Sequence, residues 1–585
     1  MNKEKIAARL SAFIFALVVV LVSSANAFAG ATIVVINNDG PGEGFNDPTP
    51  AAPVGGNPMT TLGAQRLYAF QFAANKWGAT LDSPEVIYVV AAFNPLAPGV
   101  LGSAGSWDVF SDFTPVGLFP GPLFPATWHS SALSDKRAGY DLDTTAPDIN
   151  AQFSSNFNFY LGVDNNHGAQ NDLVAVLLHE LGHGLGFQNF VNESTGANLG
   201  GFFDGPRFYP VQTDVYSHFT LDTTNGLHWN DMTQAQRQAS AVRNGRVVWD
   251  GATVTAAAPS VLSFGSPEVR VLTPASIAGS YQYGTASFGP TLNSLSAPIS
   301  ASVVAAVDVA EPPAPPLAAG TTTDGCSPFT NAAAVAGKIA LIERGLCGFT
   351  QKVKNAQDAG AVAAIIYNNA ANANATSPGM ATDPIIGPTI TIPSVSMIRQ
   401  DGLAILAQLG GGVTASIGKD NSILAGADQL GRVRLYMPFP VSGGSSGSHY
   451  DTIAFKNLLM EPFINPDLTH NLKAPDDLTL ELMRDVGWFP DADNDGAATG
   501  DDCDDTSDFS PTVVIDGCDT GVPNVFFTSG CTLSDLIQGI GASSSNHGQF
   551  VSNVSHLTNS LKKAGLITGA QKSAIQSCAA GASIP

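Results

Sequence analysis

Charge is scarce in this sequence, and positive charge is scarcest. Only 13% of the 585 residues are charged, with 26 Lys and Arg against 49 Asp and Glu, a formal net charge of −23. So acidic a chain has little to offer nucleic acid or an anionic membrane, and both are excluded as expected partners. Long apolar runs are missing too. After residue 30 no stretch reaches the roughly 20 residues of a membrane-crossing helix, so the mature chain is expected to have none. Cysteine is limited to six residues. What is plentiful is glycine and proline, 60 and 38, beside a 44% hydrophobic content. That suits loop-rich globular domains rather than disorder, and the length calls for more than one of them.

The first 29 residues read as a signal peptide. Lys3, Lys5 and Arg9 precede a short apolar core, "LSAFIFALVVVLV", and "SSANAFAG" supplies small residues for cleavage after Ala27 or Ala29. The expected localisation is secreted, extracellular. In that setting the six cysteines favour disulfides over catalysis. They fall in sequence as Cys326 with Cys347, Cys503 with Cys518 and Cys531 with Cys578. Local pairing is the simplest reading, though spacing alone does not fix it.

Along the chain, strand and helix signals alternate to about residue 190. "TIVVIN", "EVIYVVAAF" and "NFYLGV" read as strands. "TTLGAQRLYAFQFAANKWG" reads as a helix with Leu67, Phe70 and Ala74 on one stripe and a closing glycine. Residues 99–145 read as loops and short strands. A second helix is "QNDLVAVLLHELGHGLGF", capped by Asn171 or Asp172, and a third "TQAQRQASAVRNG". From about 280 to 420 the pattern becomes strand, helix, strand.

The second helix carries His179, Glu180 and His183 as H-E-x-x-H. Residues four apart share a helix face, so both imidazoles can reach one metal with Glu180 beside them as a base. Gly184 and Gly186 turn the chain after His183. A catalytic zinc takes a third protein ligand and keeps one position open. The short form of this motif places a histidine where Asn189 stands, and an amide is a poor zinc ligand. His218, His228, Asp204 and Asp214 are candidates for the third place, as is His449.

"HELGHGLGF" resembles the metzincin metallopeptidases. "SHYDTIAFKNLLMEP" further resembles their leishmanolysin-like branch, in which the third histidine lies far downstream and a Leu-Met-x-Pro turn follows. The resemblance implies His449 as the third ligand, Met460 as the methionine beneath the zinc and Glu180 as the catalytic residue of a zinc endopeptidase acting on proteins or peptides. "GKIALIERG", "VKNAQDAGAVAAIIYNN" and "IPSV" resemble the protease-associated (PA) domain, over about 290–418. Arg344 and Cys347 within it are expected to be structural. "DADNDGAATGDDCDD" resembles the start of EF-hand-like and thrombospondin type-3 calcium loops and implies a calcium site at Asp491, Asp493, Asp495 and Asp502. A solvated acidic linker is the other reading.

The fold class expected is therefore α+β: a split metzincin-like catalytic domain with an inserted α/β PA domain, an acidic calcium-type loop and a small helical tail. The expected order is signal peptide 1–29, catalytic part 30–275, PA domain 276–420, catalytic part 421–490, linker 491–520 and helical module 521–585. Two rival readings stay open: a zincin with a different third ligand, and a cell-surface binding protein whose zinc site is vestigial. Whether the tail associates with a cell surface also stays open.

Overall fold

The computed structural model describes residues 30–117, 119–205, 207–313, 319–489, 512–524, 532–563 and 566–584. The signal peptide and Asp491, Asp493, Asp495 and Asp502 lie outside the described residues, as do Cys503 and Cys531.

Near the N-terminus, Thr32–Asn37, Val86–Asn94 and Ile149–Ser154 form a parallel sheet, and Gly102–Ser106 joins its edge antiparallel. Two helices pack together over this sheet, Leu62–Gly78 and Leu173–Leu185. The first is capped by Thr61, whose Oγ1 accepts from the Ala64 amide at 3.3 Å. Its buried stripe is Ala69, Phe70, Ala73, Ala74 and Trp77, the i, i+3, i+4 pattern of a core face. Leu67 falls off that stripe and is 38% exposed, against the expectation. The Trp77 indole donates to the Leu178 carbonyl at 3.0 Å, which locks the two helices in register.

Two elements differ from the sequence reading. "NFYLGV" is not a strand; Phe159, Tyr160 and Leu161 are buried as loop. The strand lies just before it, at Ile149–Ser154, where Ile149, Ala151 and Phe153 face the core and alternate with polar residues. Residues 99–145 also hold a helix, Ser131–Ala138, all of it buried, including Asp135, Lys136 and Arg137. Arg137 is satisfied by the carbonyls of Gly121 (2.6 Å) and Gly487 (2.7 Å), which is how so polar a sequence sits inside.

The insertion is a seven-stranded mixed sheet in the order Gly279–Ser280, Phe264–Thr273, Thr414–Leu424, Ile299–Ala305, Ile339–Glu343, Ala363–Tyr367, Ser394–Met397. Phe264–Thr273 precedes residue 276, so the sheet begins earlier than expected. Its inner strands are apolar on both faces. Ile339 and Leu341 join one buried cluster while Ala340 and Ile342 join the other, as expected of strands covered on both sides. Cys326 and Cys347 are bonded within this unit.

After the insertion the chain returns to the first unit. A single buried cluster holds Trp77, Leu178 and Trp249 together with Leu435, Met460 and Trp488. Asp485 fastens the return, accepting from the Trp249 indole and the Thr253 amide at 2.8 Å each. Beyond it stand a hairpin, Thr512–Ile515 with Cys518–Pro523, and three helices, Leu533–Ser543, His547–Lys563 and Gly569–Gly581, around their own core. Sequential pairing of the last four cysteines does not hold: Cys518 is bonded to Cys578, tying the hairpin to the last helix. Asn546 precedes the second helix as a turn, and His547 opens it.

Candidate metal centre and its cleft

Asp172 caps the helix Leu173–Leu185, accepting from the Val174 amide at 2.9 Å. Every residue of this helix is buried, so His179, Glu180 and His183 are presented on a rigid element. Its glycines stand where other parts press closest. A Cβ on Gly184 would meet Ile149 Cγ2 at 2.5 Å, and one on Gly182 would meet Met460 Sδ at 2.9 Å. The helix stops at Gly186, whose φ of 126° suits glycine. The turn brings the Phe187 carbonyl back over His183.

His449 completes a triangle with the two helix histidines. The three Nε2 atoms are 3.1 Å (His179–His183), 3.2 Å (His183–His449) and 3.2 Å (His179–His449) apart. Each Nδ1 instead faces a backbone carbonyl: His179 that of Leu459 at 2.7 Å, His183 that of Phe187 at 2.8 Å, His449 that of Ser445 at 2.8 Å. Those carbonyls accept only if Nδ1 carries the proton. Burial pushes His179 down to about 4. Burial and then the neighbouring imidazole push His183 down to about 3. His449 is held well below its ordinary value by burial and then by His183 and His179. All three rings are therefore neutral, and three bare nitrogen lone pairs point at one another. That is unfavourable unless a cation sits among them. Bonds of about 2.0–2.1 Å at tetrahedral angles give an N–N spacing of roughly 3.3–3.4 Å, so these residues fit zinc.

Glu180 lies beside this triangle. Burial raises its carboxyl to about 8, partly offset by the Ala104 amide that donates to it. A Cβ on Gly102 would meet Glu180 Cγ and Oε1 at 2.8 Å, so the edge strand can lie against the glutamate only as glycine there. Met460 is fully buried. Its carbonyl accepts from the Tyr450 amide at 2.9 Å, and the preceding Leu459 amide donates to Asp477 at 2.6 Å. Above the three histidines a cleft of about 840 Å³ opens, bordered by Gly102, Ala104, Glu193, Glu461 and Phe463. Among the described residues its lining holds no lysine or arginine.

The other candidates for the third place stand elsewhere. Asn189 holds the third-histidine loop, donating to Ser448 Oγ at 2.9 Å. His218 stacks on Phe124 at 3.9 Å, and His228 pairs with Asp250 at 2.7 Å. Asp214 accepts from the amides of Phe190 and Ser217, and Asp204 is exposed on a hairpin. Arg344 bonds Asn368 at 3.1 Å inside the insertion.

The sequence reading missed the groups that orient the imidazoles. Three are backbone carbonyls, which leave no side-chain signature. Another is His470, whose Nε2 lies 2.8 Å from the capping Asp172. This pair anchors the residues after Met460 to the start of the histidine helix. Asp172→Ala removes the cap and strands a buried imidazole, so stability in urea is expected to fall by about 2 kcal/mol.

Residues 303–405 match the PA domain family model. The chain is 40% identical over 93 residues to the human (Homo sapiens) ER degradation-enhancing alpha-mannosidase-like protein 3, covering 15% of this chain and 10% of that protein. It is 42% identical over 72 residues to aminopeptidase YwaD of Bacillus subtilis (strain 168), covering 12% of this chain and 15% of that one. The matches thus span about a tenth to a seventh of these relatives' length. Among solved structures, an aminopeptidase from Aneurinibacillus sp. strain AM-1 has 24% identity and a TM-score of 0.19, covering 27% of this chain and 32% of that one. A zinc aminopeptidase from Bacillus subtilis has 21% identity and a TM-score of 0.18, covering 29% and 36%. The molecule is thus a mixed α/β protein with an inserted PA domain. Among the described residues no helix is long and apolar enough to cross a membrane.

Proposed function

We propose that this chain is an exported zinc endopeptidase of metzincin-like, leishmanolysin-like type. Its catalytic domain, built from residues before about 263 and after about 424, is split by the PA domain. The observation that carries the reading is the triangle of neutral imidazoles, each oriented by a carbonyl, with a buried glutamate beside it. His179, His183 and His449 would hold the metal. A bound zinc supplies Lewis acidity, making a water acidic at neutral pH and polarising the scissile carbonyl. A cation held by the three histidines would favour the ionised form of Glu180 against its burial. That carboxylate takes the proton from the attacking water and passes it to the leaving amine. The Nδ1 hydrogen bonds keep each Nε2 unprotonated and the rings fixed.

Gly102–Ser106 has a sheet neighbour on one side only, Ile149–Ser154, and borders the cleft. On its other edge the Ala104 and Ser106 amides donate to Glu180 and Gln188. The remaining main-chain groups there offer partners to an extended substrate, which favours an endopeptidase over an enzyme confined to chain ends. The test is a quenched internal peptide assayed before and after chelator. Hydrolysis that vanishes with chelator and returns with zinc is expected. A protein that binds no zinc, or binds it and hydrolyses nothing, would return the reading to a binding protein.

The cleft's charge sets a second expectation. Glu461 is buried and its carboxyl is pushed up to about 8, so Glu193 is the carboxylate that counts. With no lysine or arginine in the lining among the described residues, a lysine near the cleaved bond is favoured over a glutamate. A kcat/KM ratio of about fivefold is expected, the upper end (about 1 kcal/mol) of what a solvent-exposed charge pair contributes. Equal rates for matched Lys and Glu peptides would remove that carboxylate from specificity.

A further inference from the structure

The insertion is bolted to the metal-bearing unit by two buried arginines. Arg434 is 3% exposed. Its guanidinium donates to Glu268 and, at 3.1 Å, to Ser280 Oγ. Both partners belong to the insertion's sheet, on Phe264–Thr273 and Gly279–Ser280. Arg246 reaches Asp401 of the PA segment at 3.1 Å, and its guanidinium lies 4.3 Å from the centre of the Tyr281 ring.

The backbones behind these arginines are neighbours. The Trp249 amide donates to the Val433 carbonyl at 2.7 Å, and the Leu435 amide to Val247 at 3.0 Å. The same short segment carries the third histidine. The Asp451 amide donates to the Arg434 carbonyl at 2.9 Å, and the Tyr436 amide to the His449 carbonyl at 2.8 Å. Gly447 in turn donates to Tyr436 at 2.9 Å. Between Glu268 of the insertion and His449 stand only one buried ion pair and one rung of backbone hydrogen bonds. His179 and His183 stand further from Glu268, reaching the His449 segment only through neighbours, His179 to the Leu459 carbonyl at 2.7 Å and Asn189 to Ser448 at 2.9 Å. Their helix leans on Trp77, Ile149 and Met460.

We infer that the insertion's sheet positions the third ligand: Glu268, through Arg434, fixes the segment on which His449 rides, so the state of that sheet sets how well the histidine triangle closes. This rests on the zinc reading above. It makes the coupling reciprocal, because a metal that favours one position of His449 must equally favour the Glu268–Arg434 contact. Whatever bends the sheet, a partner or a substrate segment, then acts on metal affinity from outside the cleft.

The test uses the full chain. Zinc affinity is measured by competition with a chromogenic chelator for wild type, Glu268→Gln and Glu268→Asp. Amide exchange across Phe264–Thr273 is followed with and without zinc. Expected are about fivefold weaker zinc binding in Glu268→Gln, the low end of a coupling between separate sites, a partial recovery in Glu268→Asp, and slower exchange of that strand in zinc-loaded wild type. A folded Glu268→Gln protein that binds zinc within about twofold of wild type overturns the inference. So does strand exchange in wild type that ignores zinc, a result needing no variant to fold. A wild-type protein holding no zinc overturns the metal reading and this inference together. Wild type that holds zinc through His449, with Glu268→Gln unchanged, overturns the inference alone.

Discussion

His449→Ala protein is expected to come out of purification folded, without zinc and without peptide hydrolysis. The imidazole it loses is one of three whose Nε2 atoms lie within 3.2 Å of each other. Two imidazoles hold a metal far less tightly than three and leave no fixed position for water. The fold should survive, because the segment around His449 is held by backbone bonds to residues 434–436, which the substitution leaves intact. Matched controls sharpen the result. His218→Ala and His228→Ala alter side chains bonded to Thr127 and Asp250, away from the triangle, and should keep zinc. Asn189→Ala should also keep it, since Asn189 binds Ser448 and not the centre. Elemental analysis of the four proteins decides the matter. Full zinc occupancy in folded His449→Ala would refute the assignment.

Glu180→Gln should separate the two properties that His449→Ala loses together. The amide fits the same space between Gly102 and Ala104 and removes no imidazole. Zinc content should be unchanged, while kcat falls by roughly 100- to 10,000-fold, the usual share of a general base. A single-turnover assay on zinc-loaded variant measures it. Near-wild-type turnover would mean that another group takes the proton.

The histidine helix was legible because its information is local. Asp172, the apolar run and the i, i+4 histidines all stand within one element, and the structure has that helix where the pattern put it. The PA segment was legible for a similar reason: its strands are apolar on both faces, so they read as continuous runs. Where local pattern and burial part company, the reading failed. Ile149–Ser154 is half polar and gives a weaker strand signal than the more apolar "NFYLGV", which is buried without being a strand. Ser131–Ala138 hides charged side chains that bond distant carbonyls, and no periodicity announces that. Leu67 looked like a core residue and is not one, because the stripe is set by Ala73 and Trp77 one step round the helix. The Cys518–Cys578 bond joins elements that only tertiary packing brings together.

The first and last strands of the insertion in sequence pair antiparallel, with Phe264 opposite Leu424, so the point where the chain leaves the first unit and the point where it comes back are side by side. Along the chain 266 residues separate His183 from His449. Once that sheet has formed, the path between them is cut to less than half, because the insertion bypasses itself. Closing the shorter loop saves roughly 0.8 kcal/mol of chain entropy. More consequential is the order it imposes. A chain emerging N-terminus first presents the base and two histidines while the third is still unmade, and the last ligand arrives only after the residues that form the insertion. The histidine triangle is thus assembled late by construction, and on the proposed function hydrolysis would be deferred until synthesis has passed the PA domain.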